Sequence, residues 1–304
     1  MNSFRPIWSK LVVRFRAQYP ELYEKIPALV ELTRINRPIG IYLLLWPTIM
    51  ALWIAAEGFP GIGLFLIFTL GTAIMRSAGC SVNDFADYSI DGEVLRTKKR
   101  PLPSGILKRQ DAFICFGVLS TIGFLLVLMT NRETVFLSFG AVALIAIYPF
   151  MKRYTNLPQL VLGVAYSWGI LMAFTAVITE IPRAAYLLFV ANALWTVAYD
   201  TQYAMVDREF DIQIGVKSTA ILFGDADRLM IGLLQAMFIT AMWLAARQLE
   251  MGTVFYVSLL IACGFLIYQQ HLIRYRFPDS CFKAFLNNNW VGASIFVGTF
   301  LNYL

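Results

Sequence analysis

The sequence predicts an all-α fold, an integral membrane bundle of about nine transmembrane helices with two Asp-rich loop motifs on the cytoplasmic side. Three observations lead there. Of 304 residues, 59% are hydrophobic and only 14% charged, whereas a soluble domain carries about a quarter charged residues. The apolar residues fall in long runs that approach the ~20 residues a helix needs to cross the hydrocarbon core. The basic residues, finally, crowd into alternate connections between those runs.

The expected spans lie near residues 39–57, 61–79, 112–130, 134–150, 159–179, 184–203, 229–246, 253–272 and 288–303. Short cytoplasmic loops are enriched in Lys and Arg. One face of the bundle collects 21 of the 25 basic residues, the other only Arg132, Arg183 and Arg247, and Arg76 sits near the cytoplasmic end of the second span. An inside N-terminus and an outside C-terminus follow. Residues 1–37 lack the apolar core and small-residue cleavage site of a signal peptide, and their scattered charges suit a cytoplasmic arm on the membrane surface. Residues 38–304 then form one transmembrane domain.

Several function classes drop out. The net charge of +6 follows membrane topology instead of forming one basic tract, which argues against nucleic-acid binding. Cys80, Cys115, Cys263 and Cys281 have no metal-ligand spacing and are expected as packing residues without disulfides. His271, the sole histidine, falls at the end of a span and has no evident partner for catalysis.

What the bundle does must be read from ionisable groups beside hydrocarbon, which are costly and usually functional. A first cluster follows the second span: Asn83, Asp84, Asp87 and Asp91. Asn83, Asp87 and Asp91 are four apart and share one helical face. A second follows the sixth span, where steps of seven and four put Asp200, Asp207 and Asp211 on one stripe. Like charges at that spacing repel, and a bound cation removes the conflict. Oxygen ligands without His or Cys point to magnesium or calcium, and magnesium in particular takes few carboxylates and shares its remaining positions with water and phosphate oxygens. The structural alternative is a pair of solvated acidic loops at helix ends.

Basic residues accompany the acids. Arg76 is seven residues before Asn83, Arg96, Lys98, Lys99 and Arg100 follow the first cluster, Lys152 and Arg153 close the fourth span, and Lys217 follows the second cluster. Carboxylates and cations converging on one side describe a site for a metal-bridged polyanion. With an apolar bundle around it, the substrate has a charged head and a lipid tail, a description that a polyprenyl diphosphate fits. Ionising its allylic C–O bond requires stabilisation of the leaving charge, and the allylic cation needs shelter from water and aromatic faces. Tyr148 and Tyr203, both beside the motifs, are the aromatic candidates. A secondary transporter would carry buried charges along an ion path, but here they gather at one end of the spans. A membrane scaffold binding a protein leaves the matched spacing without a reason, and no protein partner is evident.

These residues resemble the UbiA superfamily of intramembrane prenyltransferases, and within it the bacterial branch that acts on 4-hydroxybenzoate. The resemblance runs through Arg37-Pro38-Ile39-Gly40, Leu45-Trp46-Pro47-Thr48, Met75 to Cys80, Asn83-Asp84-Phe85-Ala86-Asp87 with Asp91, Arg96-Thr97, Arg100 to Gly105, Tyr148 to Arg153, and Tyr199 to Gly224. It implies Mg2+ held by Asn83, Asp87, Asp91, Asp207 and Asp211, with catalytic roles for Asp87, Asp91, Asp207, Asp211 and Arg153. Asp84, Asp200, Arg76, Arg100, Lys152, Lys217, Tyr148 and Tyr203 are the implied substrate-binding residues, and Arg76, Arg100, Lys152 and Arg153 would serve the diphosphate or the carboxylate of the aromatic acid. The implied setting is the bacterial inner membrane, with the N-terminus and active site cytoplasmic. The chain departs from the family pattern at Asn36-Arg37-Pro38 and at Glu209-Phe210, neither of which touches the acidic stripes.

Overall fold

A computed structural model of the chain describes residues 16–92 and 97–304, without the side chains of Glu21, Leu22, Ile90 and Asp91. Residues 1–15 of the expected arm and Arg96 therefore lie outside the described residues. The elements are α1 (Pro20–Thr33), α2 (Ile39–Ala55), α3 (Ile62–Asp91), α4 (Arg109–Val127), α5 (Arg132–Tyr154), α6 (Pro158–Ile178), α7 (Arg183–Ile214), the short α8 (Thr219–Phe223), α9 (Asp227–Gln248), α10 (Thr253–Leu272) and α11 (Pro278–Asn302). No strand occurs among the described residues.

Each expected span falls on one of these helices. Six helical stretches among the described residues are long and apolar enough to cross a membrane, and α2, at 17 residues, is a shorter apolar helix. The helix ends follow local rules. Asn131 accepts a hydrogen bond from the Thr134 N–H at 3.0 Å and caps α5, and Ser218 does the same for Ile221 on α8. Pro20, Pro158 and Pro278 open their helices, where the missing N–H has no helical partner to lose. Gly215, at φ 71°, closes α7 in the left-handed conformation that a glycine adopts without a Cβ clash.

The Asp-rich segments are not loops, contrary to the sequence-based expectation. α3 has 30 residues and α7 has 32, roughly 45 and 48 Å at 1.5 Å per residue, against a hydrocarbon core of about 30 Å. Both helices are longer than that core and continue without unwinding, and the acids lie on their C-terminal turns. Helix geometry therefore keeps each stripe straight.

The main core joins α2, α6, α7, α9, α10 and α11. α10 packs on α11, α9 on α7, α6 on α7, and α2 on both α6 and α11, while α3 and α4 pair at the side and α3 meets α2 and α5. Small residues permit close approach: a Cβ on Gly163 of α6 would lie 2.9 Å from the Ala193 carbonyl of α7. A buried amide network also ties the bundle, with Gln202, Gln235, Gln269, Asn287 and Asn288 bonded across α7, α9, α10 and α11 at 3.0–3.1 Å. Large apolar side chains such as Phe136, Leu260 and Ile267 point outward, as a lipid-facing surface requires. α1 packs against α3, and its Ala28 and Leu32 share a small core with Leu102, Leu107 and Ala112.

Candidate functional site

Both acidic stripes open onto one cavity of about 390 Å³, walled by α2, α3, α5, α6, α7 and α11 and reached by Glu31 of α1 and by Arg34 and Arg37 just beyond it. α3 contributes Arg76, Gly79, Asn83 and Asp87, a series of three- and four-residue steps, and α7 contributes Asp200, Tyr203, Asp207 and Asp211 in the same rhythm. Asp84, Arg100, Tyr148, Lys152 and Lys217 also line it.

Asp87 is 3% exposed. Its Oδ2 accepts from Asn83 Nδ2 at 3.2 Å and forms an ion pair with Lys152, and its Oδ1 is buried with no partner. A buried carboxylate oxygen left unpaired is costly, and an incoming cation would satisfy it. Asp84, equally buried, is gripped by Arg34 at 2.5 Å and by Arg100 at 3.5 Å. It braces two basic side chains at the rim instead of offering itself to a ligand. The Lys152 carbonyl accepts the Lys217 N–H at 3.1 Å, and Lys217 Nζ reaches the Tyr154 carbonyl at 3.3 Å. The end of α5 is thereby fastened to the segment after α7.

Arg76 occupies the deeper wall. Its Nη1 donates to the Cys80 thiol, and its buried Nε lacks a partner. Gly40 makes room for it, since a Cβ there would stand 2.4 Å from Arg76 Nε. Around and beyond it stand Tyr148, Tyr166, Tyr199, Tyr203 and Phe285, with the Tyr203 and Phe285 rings 4.9 Å apart and the Tyr199 and Phe285 rings 6.1 Å apart. The acids and lysines thus gather toward the mouth of the cavity, and aromatic side chains surround Arg76 at depth.

One expected site residue with a described side chain is not brought to the cavity, and another has no described side chain. Arg153, assigned a catalytic role from the sequence, is exposed and absent from the wall: it donates to the Ala86 carbonyl and clamps α5 to α3. The Asp91 side chain lies outside the described ones. Arg34, Arg37, Tyr166, Tyr199 and Gln159, by contrast, line the cavity without having been singled out. Tyr199 had a legible signal, standing four before Tyr203 on the acidic stripe. Arg34 had none, because its partner is 50 residues away.

Among the described residues no three His, Cys, Asp or Glu side chains converge tightly enough to cage an ion by themselves. The donor set fits magnesium nonetheless. Oxygen ligands on opposite walls, one of them with an unpaired oxygen, suit an ion that takes one or two carboxylates and completes its shell with phosphate and water.

The model of the UbiA prenyltransferase family matches residues 44–292. A protein of Pseudomonas aeruginosa (strain LESB58) named 4-hydroxybenzoate octaprenyltransferase is 57% identical over 274 residues, which cover 90% of this chain and 93% of the relative. Among solved structures, a UbiA homologue from Aeropyrum pernix K1 superposes with a TM-score of 0.77 at 23% identity, covering 87% of this chain and 98% of that one. A UbiA homologue from Archaeoglobus fulgidus bound to GPP and Mg2+ superposes with a TM-score of 0.65 at 16% identity, covering 91% and 99%.

Proposed function

Because the chain belongs to the UbiA prenyltransferase family, we propose that it transfers a polyprenyl group from polyprenyl diphosphate to the ring carbon of 4-hydroxybenzoate next to the hydroxyl, a step of ubiquinone biosynthesis. One observation carries this reading: two acidic helical stripes and a set of basic side chains face a single cavity whose depth is aromatic. The name of the P. aeruginosa relative supports the acceptor, and the ligands of the A. fulgidus homologue support the prenyl diphosphate and magnesium.

Asn83, Asp87 and Asp91 on α3 and Asp207 and Asp211 on α7 are the residues proposed to hold Mg2+. When bound, it supplies neutralisation of the charge that builds on the departing diphosphate. Lys152, Lys217 and Arg100 add fixed positive charge at the same end. Arg76, with its free Nε and fork geometry, is the residue proposed for the acceptor carboxylate. The tyrosines present electron-rich faces to the allylic cation and exclude water from it. The acceptor's ring carbon, made electron-rich by the phenol oxygen, forms the new C–C bond as the allylic C–O bond breaks. The ring proton then leaves to a base in the cavity and aromaticity returns. We place the protein in the bacterial inner membrane with nine crossings by α2–α7 and α9–α11, and with the N-terminus and cavity mouth on the cytoplasmic side.

The test is to incubate membranes containing the protein with labelled 4-hydroxybenzoate and a polyprenyl diphosphate, with magnesium or with chelator, and extract the lipids. Labelled lipid formed only with magnesium is the expected result. Failure with this acceptor but turnover with another aromatic acceptor would replace the acceptor, and failure with all of them would overturn the enzymatic reading.

A further inference from the structure

The carboxylates that line the large cavity are Glu31, Asp84, Asp87, Asp200, Asp207 and Asp211. Asp84 is held by Arg34 and Arg100, and Asp87 by Lys152 and Asn83. Asp207 and Asp211 have partners as well, and they stand where magnesium is proposed. Glu31 is exposed at the mouth. Asp200 is different: half-buried in the wall, it makes no hydrogen bond and no ion pair among the described residues.

Its place in the cavity is also different. Asp200 precedes Asp207 by seven residues of α7, roughly 10 Å along the helix axis. It is therefore set back from the acids proposed for the metal. The charges of Arg76 on α3 and Lys152 on α5 act on it from across the cavity, and Tyr148 of α5, Tyr166 of α6 and its own neighbour Tyr199 are within its electrostatic reach. The cavity-lining stretches of α2 and α11 add only apolar side chains.

Arg76 and Asp200 carry opposite charge in one cavity, yet no ion pair joins them. Arg76 is kept on its own wall by its bond to Cys80 and by the close approach of Gly40. The gap between a guanidinium and an unpaired carboxylate suits a flat aromatic acid, with its carboxylate on Arg76 and the edge of its ring toward Asp200. Pairing with a cation or a metal weakens a carboxylate as a base, so the unpaired acid of the wall is the one best able to accept a proton.

Resting on the reading of the cavity as a site for prenyl transfer to 4-hydroxybenzoate, we propose that Asp200 is the base that removes the ring proton. The ring carbon next to the hydroxyl bonds to the allylic carbon while the C–O electron pair leaves with the diphosphate. That carbon then carries both the new chain and its hydrogen, and the positive charge is shared with the phenol oxygen. An Asp200 carboxylate oxygen takes the hydrogen as a proton, the C–H electron pair returns to the ring, and aromaticity is restored. The neutral Asp200 passes its proton to water as the product leaves. Base and metal ligands thus share one helix without sharing a cation.

The test uses the full chain in lipid nanodiscs with magnesium, geranylgeranyl diphosphate, and 4-hydroxybenzoate that is either unlabelled or deuterated at both ring carbons next to the hydroxyl. Asp200→Asn, which keeps the shape and removes the basic oxygen, should lower kcat about 10²- to 10⁴-fold with both KM values within about threefold of wild type. Proton loss then limits turnover, so the deuterium isotope effect on kcat should exceed that of the wild type. Asp200→Glu keeps a carboxylate and should run about tenfold or more faster than Asp200→Asn; it carries the test if Asp200→Asn does not insert, by a lowered kcat with a raised isotope effect. An unchanged isotope effect in a slowed variant, or a loss that resides in the KM for 4-hydroxybenzoate, makes Asp200 a counter-charge to Arg76 and overturns the proposal, as does a kcat near the wild-type value. These outcomes leave the prenyltransferase reading standing. A wild type that forms no product with any aromatic acceptor removes that reading and the base with it.

Discussion

Asp87 concentrates the chemistry of the site in one side chain. It is buried, one of its oxygens is shared between Asn83 and Lys152, and the other has no partner. Asp87→Ala should abolish turnover while membrane insertion persists, and so should Asp207→Ala on the facing helix; product assays at varied magnesium together with membrane fractionation check this, and ordinary activity at low magnesium would sink the metal assignment. Gly40 makes a separate prediction. Gly40→Ala would drive a methyl group into Arg76 Nε, so the KM for 4-hydroxybenzoate should rise about tenfold with the KM for prenyl diphosphate little changed. Equal effects on both substrates would remove Arg76 from the acceptor's carboxylate. The spacing of the acids was legible because a helix repeats every 3.6 residues. The closeness of Gly40 to Arg76 was not, because it joins two helices.

The elements that carry the acids need anchoring where they leave the bundle. α7 is held by Arg208, between Asp207 and Asp211, which pairs with the fully buried Asp227 at the start of α9. Arg276, ahead of α11, grips the same carboxylate at 2.9–3.1 Å and also donates to the Asp225 carbonyl at 2.8 Å. Its bonds to Asp227 push the Arg276 guanidinium above its ordinary pKa, so the guanidinium side of the clamp stays charged. Asp227→Ala leaves two guanidinium groups without their shared partner and should cost about 2–3 kcal/mol, less than a fully buried pair because both arginines reach solvent; thermal denaturation in detergent measures it. Full recovery by Asp227→Asn would show that hydrogen bonding and not charge is what matters. On the other side of the cavity Arg34, just after α1, binds Asp84 of α3. Arg34→Ala should loosen α1 and raise the KM for prenyl diphosphate a few-fold, measured against an unchanged thermal midpoint. The clamp and the brace were both invisible in the sequence, since neither follows a local period.

The whole molecule is a bundle around a cavity in which most of the charged side chains gather at one end and aromatic side chains surround Arg76 at the other. Such a gradient suits a substrate with an anionic head and an apolar tail, since the head replaces its hydration with fixed charges and the tail never meets water. On the proposed reading, activity depends on magnesium. Chelation should stop product formation completely and reversibly, and it should weaken prenyl diphosphate binding far more than acceptor binding, a difference that ligand-induced thermal stabilisation with and without chelator will resolve.

The sequence by itself determined the class of solvent, the helical content, the approximate place of every long helix, the two acidic faces and the end of the bundle at which they gather. Each of these is written in local period and composition, which are physical properties of a single segment. Only the tertiary structure decided that the acidic faces belong to long continuous helices and not loops, that they open on one cavity, that Arg153 clamps α3 while Arg34 and Tyr199 reach the wall, and that Asn288 and Asn289 pin the indoles of Trp195 and Trp46. Those facts depend on contacts between segments up to 243 residues apart, and no periodicity within a segment encodes which distant segment will pack against it.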